Sequence, residues 1–551
     1  MAVLPPEDIV TTDLRRQDEM ERTRAPYEAA WREVDDWIDP ELAGGFSGQQ
    51  GYVDRSAAQF DATATEGLDR FTAGIAGLTI PDGSRWHGII PTDKDLNRDP
   101  AVRRWCEHAT DRLFACRYNP WAGFAMQAHA DIRQTGKYGT APLWIDEQAG
   151  VGLYYRALHL SEVFIAEDFR GRVDTVHRKF ELTARQAAQM FGTEALPDKI
   201  VRSVMDDGGA KAVDKFPFLH VVCPRADWEP GHPGHKGMPY ASRYISIEGR
   251  QVVRSGGYRS MPIAVSRNMV SPGQVYGRSP AMKVLGHVKT LHSMAMTMLR
   301  SAHKQVDPAL AFFDDGDIGK LVTRPGGLNP GLVDEFGRLL VAPIPHGGNL
   351  SEGMAMQEAE RQPVKDAFLE QLFQILTEPS DRMTATQVLE TIQKQGVLVA
   401  PFTSRHETEK LAPMIARELD ILERAGQIDP RPPVMREAGA GALVVYENPL
   451  ARMKRAEEAA GFTRWVEVAV QIAGAMQSPE VFDYIRTDQA MPGLADVLSV
   501  RPTWVATPDE VAAKREARSE QAAMAQATVA LPDAAGAALD LAKANQIGGG
   551  L

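Results

Sequence analysis

The chain has 551 residues, 44% of them hydrophobic and 24% charged, which is globular composition at a length that admits several domains. Its formal net charge of −12 excludes a surface that grips nucleic acid all over, because that affinity comes from clustered Lys and Arg displacing counterions; looser contact remains open. There is no run of about 18 apolar residues, and the start "MAVLPPEDIVTTDLRRQDEM" lacks the basic-then-apolar order of a leader, so the expectation is a soluble protein made in a cytoplasm.

The first third reads as helical. Tyr27, Trp31, Val34 and Ile38 mark one apolar face that ends at Pro40, and "AGGFSGQQG" follows as a loop. Leu68, Phe71, Ile75 and Leu78 then recur at steps of three and four, predicting an amphipathic helix that stops before Pro81. Gly67, Gly74 and Gly77 interrupt that pattern, each costing about 1 kcal/mol against Ala, so close packing must offset them. Two more helices are predicted over 100–116 and 120–137, separated by "RYNP".

From Gly139 the period moves towards two. "GLYYRALHLSEVFIAED", "GRVDTVHRKFEL", "FPFLHVVCPRAD" and "SRYISIEGRQVVRSGG" read as strands between turns, and Thr183 with Gln186 forms a capping-box pattern for a short helix. This is a helix-plus-sheet region rather than a βαβ array.

The clearest long helix opens with Ser279 as N-cap and Pro280 at its first position, and runs about 40 Å at 1.5 Å per residue. Val284, Val288, Leu291, Ala295, Met298 and Ala302 form its apolar stripe. Lys289, His292, Arg300, His303 and Lys304 fall on another side, as a solvated surface or as the lining of a channel. After a Gly/Pro-rich stretch over 314–353 a second long helix is predicted over 354–376, with Val364, Phe368, Leu372 and Ile375 inward. "TEPSDRM" interrupts it. Thr384 with Gln387 begins another helix, which extends through "RHETEKLAPMIARELDILERAG" with a kink at Pro413. The region from Tyr446 is helical again, its last helix opening at Thr507, Pro508 and Glu510, and the Ala-rich end from Val511 is too weakly apolar to hold itself alone.

Enzyme chemistry finds no support in the motifs. There is no GxxxxGK[ST], HExxH, GxSxG or strand-linked GxGxxG. His232 and His235 of "HPGH" sit in turn-rich sequence that reads as a loop, and "DDGDIG" fails as a calcium loop because its twelfth position from Asp315 is Gly326. Cys106, Cys116 and Cys223 form no CxxC pair, so neither a disulfide framework nor a zinc site is expected, and no cofactor is implied.

Six stretches in order resemble one family. They are "FDATATEGLDRFTAGIAGLTIPDGSRWHGI", "YGRSP" at 276–280, "MTATQV" at 383–388, "LAPMIARELDILERAGQIDPRPP", "YENPLARMKRAEE" and "SPEVFDYI…VLSVRPTWVATPDEVAAKREAR". Together they resemble the portal, or head-to-tail connecting, protein of short-tailed bacteriophages. Gln387 stands where that family more often has Glu, and "SVRPTWVAT" matches only approximately, which leaves local contacts open.

The resemblance implies an α+β, mainly α, portal fold assembled as a ring, usually twelve-fold, at one capsid vertex of the virion, after synthesis in the host cytoplasm. Double-stranded DNA would pass through it without sequence specificity. Its partners would be the terminase large subunit, major capsid and scaffolding proteins, and head-tail adaptor or tail proteins, with no membrane and no catalytic activity. By chain order the wing would be 1–278, the stem helices 279–305 and 354–377, and the clip 306–353. The tunnel loop and a long kinked wing helix would be 378–445, and the crown and tail 446–551. Lys289, Arg300 and Lys304 become candidates for the DNA channel or for contact with the adjoining subunit's acidic groups, and Arg382, in the tunnel loop, the better candidate for direct approach to the duplex. Gly67, Gly74, Gly77 and Arg278 become candidates for subunit packing, the glycines being open equally to packing within the chain. Other structural connectors or adaptors are the nearest rival, though adaptors are generally shorter and lack "YGRSP" with "TATQV"; a nuclease would need a carboxylate cluster that the sequence does not display.

Overall fold

The computed structural model describes residues 6–40, Phe46, 59–312 and 321–377 with short internal breaks, 402–447 apart from 440, and short stretches between 461 and 522. The chain folds as two compact units, one of 1–84 with 111–430, the other of 85–110 with 431–551. The second draws 85–110 out of the span assigned above to the wing.

In the first unit, helix α1 (Pro6–Trp37) is far longer than its apolar signal, which is confined to its end. The extra turns carry Asp13, Gln17 and Arg24, all buried and polar. Arg243 pairs with Asp13, and Arg24 donates to the carbonyls of Leu160, Ser161 and Val163, so this half packs through ions and hydrogen bonds as well as through the buried Val10 and Met20. Helix α2 (Thr63–Thr79) buries Leu68, Phe71, Ile75 and Leu78, the predicted positions.

The second unit opens with strand β1 (His87–Pro91) and the start of helix α3 (Pro100–Arg117). The first unit resumes within α3 and continues through helix α4 (Phe124–Tyr138), which begins and ends on left-handed glycines, Gly123 and Gly139. Strands β2 (Thr140–Gln148) and β3 (Gly152–Ala157) follow, then β4 (Val163–Glu167) and β5 (Val173–Thr183). Helix α5 (Ala184–Phe191) carries the reciprocal Thr183 and Gln186 capping box, and α6 (Asp198–Val204) follows it. Strands β6 (Lys215–Pro224), β7 (Tyr240–Ser246), β8 (Gln251–Tyr258) and β9 (Ile263–Arg267) complete the β region. Five strands form an antiparallel meander in the order β4-β5-β6-β7-β8, while β3-β2-β9 make a smaller sheet. Trp31, Tyr138, Trp144, Val176 and Tyr276 lie in one core that joins α1 to both sheets.

Helix α7 (Pro280–Val306) leaves this core, strands β10 (Leu310–Phe312) and β11 (Val341–Pro343) pair, and helix α8 (Leu350–Ala367) returns. The second stem helix predicted over 354–376 is two pieces. It starts at Leu350, with Asn349 accepting from Ser351 N, and breaks at Leu369, whose φ of +59° ends one helix before α9 (Glu370–Thr377) begins. The kink expected at Pro413 takes the form of a widened π turn over Glu407–Leu411 leading into helix α10 (Ala412–Arg424), which accommodates the missing Pro413 N–H. The second unit resumes with α11 (Pro433–Glu437) and strand β12 (Ala442–Tyr446), antiparallel to β1.

The mixed, mainly helical class expected from the sequence holds. Among the described residues no helix is long and apolar enough to cross a membrane.

Candidate stem hairpin and packing sites

The stretch "YGRSP" is the socket from which α7 departs. Tyr276 is fully buried and its hydroxyl accepts from Ile165 N at 3.2 Å. Gly277 lies against Gly139: a Cβ on Gly139 would meet Gly277 O at 2.6 Å, and a Cβ on Gly277 would collide with Gly139 O, so the two backbones cross where only glycine fits. Ser279 caps α7 by accepting from Met282 N at 2.9 Å, and its hydroxyl donates to Lys137 O at 2.7 Å. One serine therefore starts α7 and fastens it to the end of α4.

Two environments divide α7. Val284, Val288, Leu291 and His292 are buried, whereas Leu299 is 46% exposed and Val306 86% exposed. Ala295, Met298 and Ala302 of the predicted stripe line an open groove of about 360 Å³ with Leu350 and Met354. His292 does not belong to a basic surface. Burial lowers its pKa, its Nδ1 accepts from Phe60 N at 3.1 Å, and its ring lies 5.3 Å from that of Trp37. Helical spacing placed His292 beside Lys289, but α1 covers that position, which a single helix cannot foresee.

Lys289 forms an ion pair with Glu33 of α1 at 2.9 Å, partly exposed. Arg300 and Lys304 are exposed, as is Arg278. Arg382 and the "MTATQV" stretch lie outside the described residues. Between the helices His287 Nδ1 meets Glu360 at 2.7 Å and Gly353 sits beneath the Met298 thioether, which sets α7 antiparallel to α8.

The glycines of α2 separate into two kinds. A Cβ on Gly67 would meet the Phe368 ring at 2.8 Å, and one on Gly74 would overlap the Phe373 ring. At these two positions the chain's own phenyl rings account for the absent side chain. Gly77 is exposed, and a Cβ there would find no atom within 4 Å.

The chain matches the family model described as bacteriophage head to tail connecting protein over residues 11–505. It belongs to that family. Two relatives are alike over nearly their whole lengths. The probable portal protein of Bordetella phage BPP-1 is 27% identical over 96% of this chain and 94% of its own, and the portal protein of Salmonella phage epsilon15 is 24% identical over 93% and 92%. The neck of an empty gene transfer agent particle aligns at 14% identity over 74% of this chain and 88% of that one, with a TM-score of 0.37. The chain is a portal protein of the phage head-tail connector.

What the sequence could not display is how this connector protein fixes its 407–424 helix against the sheets. Lys410, in the π turn, is 2% exposed; its Nζ donates to Asp131 Oδ1 at 2.6 Å, Ala141 O at 3.0 Å and Ala264 O at 2.9 Å, joining the helix to α4, β2 and β9. Burial pushes the Asp131 carboxyl up to about 6, partly offset by Lys410, and burial lowers the Lys410 ammonium, partly offset by Asp131. Arg117 pairs with Glu418 in full burial, and Tyr155 donates to the same carboxylate at 2.6 Å. "RHETEKLAPMIARELDILERAG" carries these ions at helical spacing, but their partners lie some 270 to 300 positions upstream. The chain's linear order contains no trace of that pairing. His232 Nδ1 accepts from Gly234 N at 3.0 Å within its turn, and no group of three or more His, Cys, Asp or Glu among the described residues could hold a metal.

Proposed function

We propose that this chain assembles into a closed ring, of twelve copies in the usual portal arrangement, through which double-stranded DNA enters and leaves the capsid at one vertex of the virion. The observation that carries this is the bare outer end of the hairpin. Val306, Leu328, Phe336 and Leu339 are each more than three quarters exposed, and Leu310, Phe312 and Ile344 are also exposed. A lone soluble chain rarely leaves such a collection uncovered, whereas a heterologous contact repeated about an axis covers it and closes. In this reading α7 and α8 are the stem, the residues between them the clip, and the chain before α7, with its two sheets, the wing. The acidic balance suits a conduit, because each phosphate neutralised adds affinity that would hold the duplex back.

The terminase large subunit, the capsid and scaffolding proteins and a tail adaptor would be its partners, and the chain itself would turn over neither ATP nor nucleic acid. Arg382 is the candidate for approach to the duplex. Native mass spectrometry with negative-stain microscopy tests the ring: closed oligomers with a central hole are expected, and a monomer at micromolar concentration across salt conditions would reject it.

A further inference from the structure

The solvent faces of the two stem helices carry opposite charges at matching heights. On α7, Lys283, Thr290, Ser293, Thr297, Arg300 and Lys304 follow one another at steps of three, four and seven and are all exposed. The short side chains in the middle add no bulk, and their hydroxyls are turned inward: Thr290 Oγ1 donates to Gly286 O at 3.1 Å and Thr297 Oγ1 to Ser293 O at 2.9 Å. On α8 the exposed face reads Glu352, Ala355, Ala359, Gln362 and Asp366, with the Gln362 amide donating sideways to Glu358. It too is narrow, at the two alanines, and charged at its ends, with the other sign.

Lys289 is satisfied by Glu33, and Glu358 by Lys365 and Arg361. In contrast, Lys283, Arg300, Lys304, Glu352 and Asp366 have no ion-pair partner among the described residues. Lys283 to Arg300 spans about 25 Å and Glu352 to Asp366 about 21 Å at helical rise. The contacts of Met298 with Gly353 and of His287 with Glu360 put Glu352 level with Arg300 and Asp366 within about a turn of Lys283.

We propose that the exposed face of α8 docks on the exposed face of α7 of a second copy of this chain, Glu352 meeting Arg300 and Lys304, and Asp366 meeting Lys283. This rests on the ring reading above. Rotation about a ring axis keeps each level of one copy at the same level of the next, so charges matched in height within the hairpin are matched across the contact. Ala355 and Ala359 then lie opposite Ser293 and Thr290, and small residues on both sides let the helix axes approach. Arg300 and Lys304 are thereby assigned to the neighbouring subunit rather than to DNA.

The test is a charge exchange in the full chain, read by mass photometry as the concentration of half-assembly. Arg300→Glu with Lys304→Glu should raise it roughly tenfold or more, and adding Glu352→Arg should bring it back towards wild type, as complementary pairs across an interface behave. A second variant, Ser293→Cys with Ala355→Cys, should give a ladder of disulfide-linked multimers on oxidation, because the three native cysteines are buried. Wild-type rings that ignore the charge reversal and give no ladder would overturn the assignment and leave the ring standing. Rescue without a ladder would also overturn it, as charges acting at a distance would suffice for rescue. A wild-type chain that never forms rings would overturn both.

Discussion

Lys410→Met should be the most damaging conservative change in the first unit. Methionine keeps the aliphatic stem but removes the ammonium, which strands Asp131, 1% exposed, and withdraws a donor from the Ala141 and Ala264 carbonyls. Breaking a buried pair by deleting one partner costs about 3–5 kcal/mol. The carboxyl has an escape, since its pKa is already about 6 with the ammonium beside it and would rise further without it. A carboxyl whose folded pKa lies above its unfolded value binds more protons when folded, so stability is greatest below the unfolded value, near 4, and falls as pH rises through the folded one. Lys410→Met should therefore lose more against wild type at pH 8 than at pH 5. Urea unfolding followed by tryptophan fluorescence at both pH values measures this. Adding Asp131→Leu should recover more than half of the loss, because an apolar pair replaces a broken ionic one. A loss under about 1 kcal/mol, or a double variant no better than the single, would refute the claim that these two groups are coupled and dry.

Gly74→Ala should destabilise by about 1–3 kcal/mol because its methyl overlaps the Phe373 ring, and Phe373→Leu in the same chain should relieve most of that; thermal unfolding decides. Gly77→Ala, with nothing nearby, should instead stabilise the monomeric chain by about 1 kcal/mol through helix propensity, and a loss would show that this position is packed. Buried His177 and His406 are pushed down to about 3 by desolvation, with Arg16 and Arg243 beside the first and Lys410 beside the second. Folding then binds fewer protons than the unfolded chain, so the stability they contribute is full above about pH 6.5 and drains away as pH falls towards 3. His406→Leu removes a ring whose Nδ1 has no partner among the described residues, and should flatten the acid limb of a plot of urea midpoint against pH; an unchanged limb would mean that His406 is not held neutral.

Local order carried much of this protein. The apolar steps of Leu68, Phe71, Ile75 and Leu78, the Ser279 and Pro280 start, the Thr183 capping box and the strands after Gly152 all follow from periods of 3.6 and 2 and from side chains that bond backbone within three residues. Such interactions are written in neighbouring letters, and so is the series of motifs that marks the connector family. What pairs distant segments is not. The first half of α1 has only a weak apolar period, because inward positions between Val10 and Met20 and beyond are taken by Asp13 and Arg24, which meet an arginine and carbonyls more than a hundred positions away. Strands β1 and β12 are marginal alone and exist as each other's partner. Gly67 and Gly74 looked like invitations to a second backbone, and only the return of the chain through Phe368 and Phe373 showed which rings fill the space. His292 read as surface until α1 lay over it. In each case the sequence determined what a residue can do within one turn of helix or one strand, and the tertiary structure decided which partner it meets, because desolvation and packing depend on groups brought close in space rather than in order.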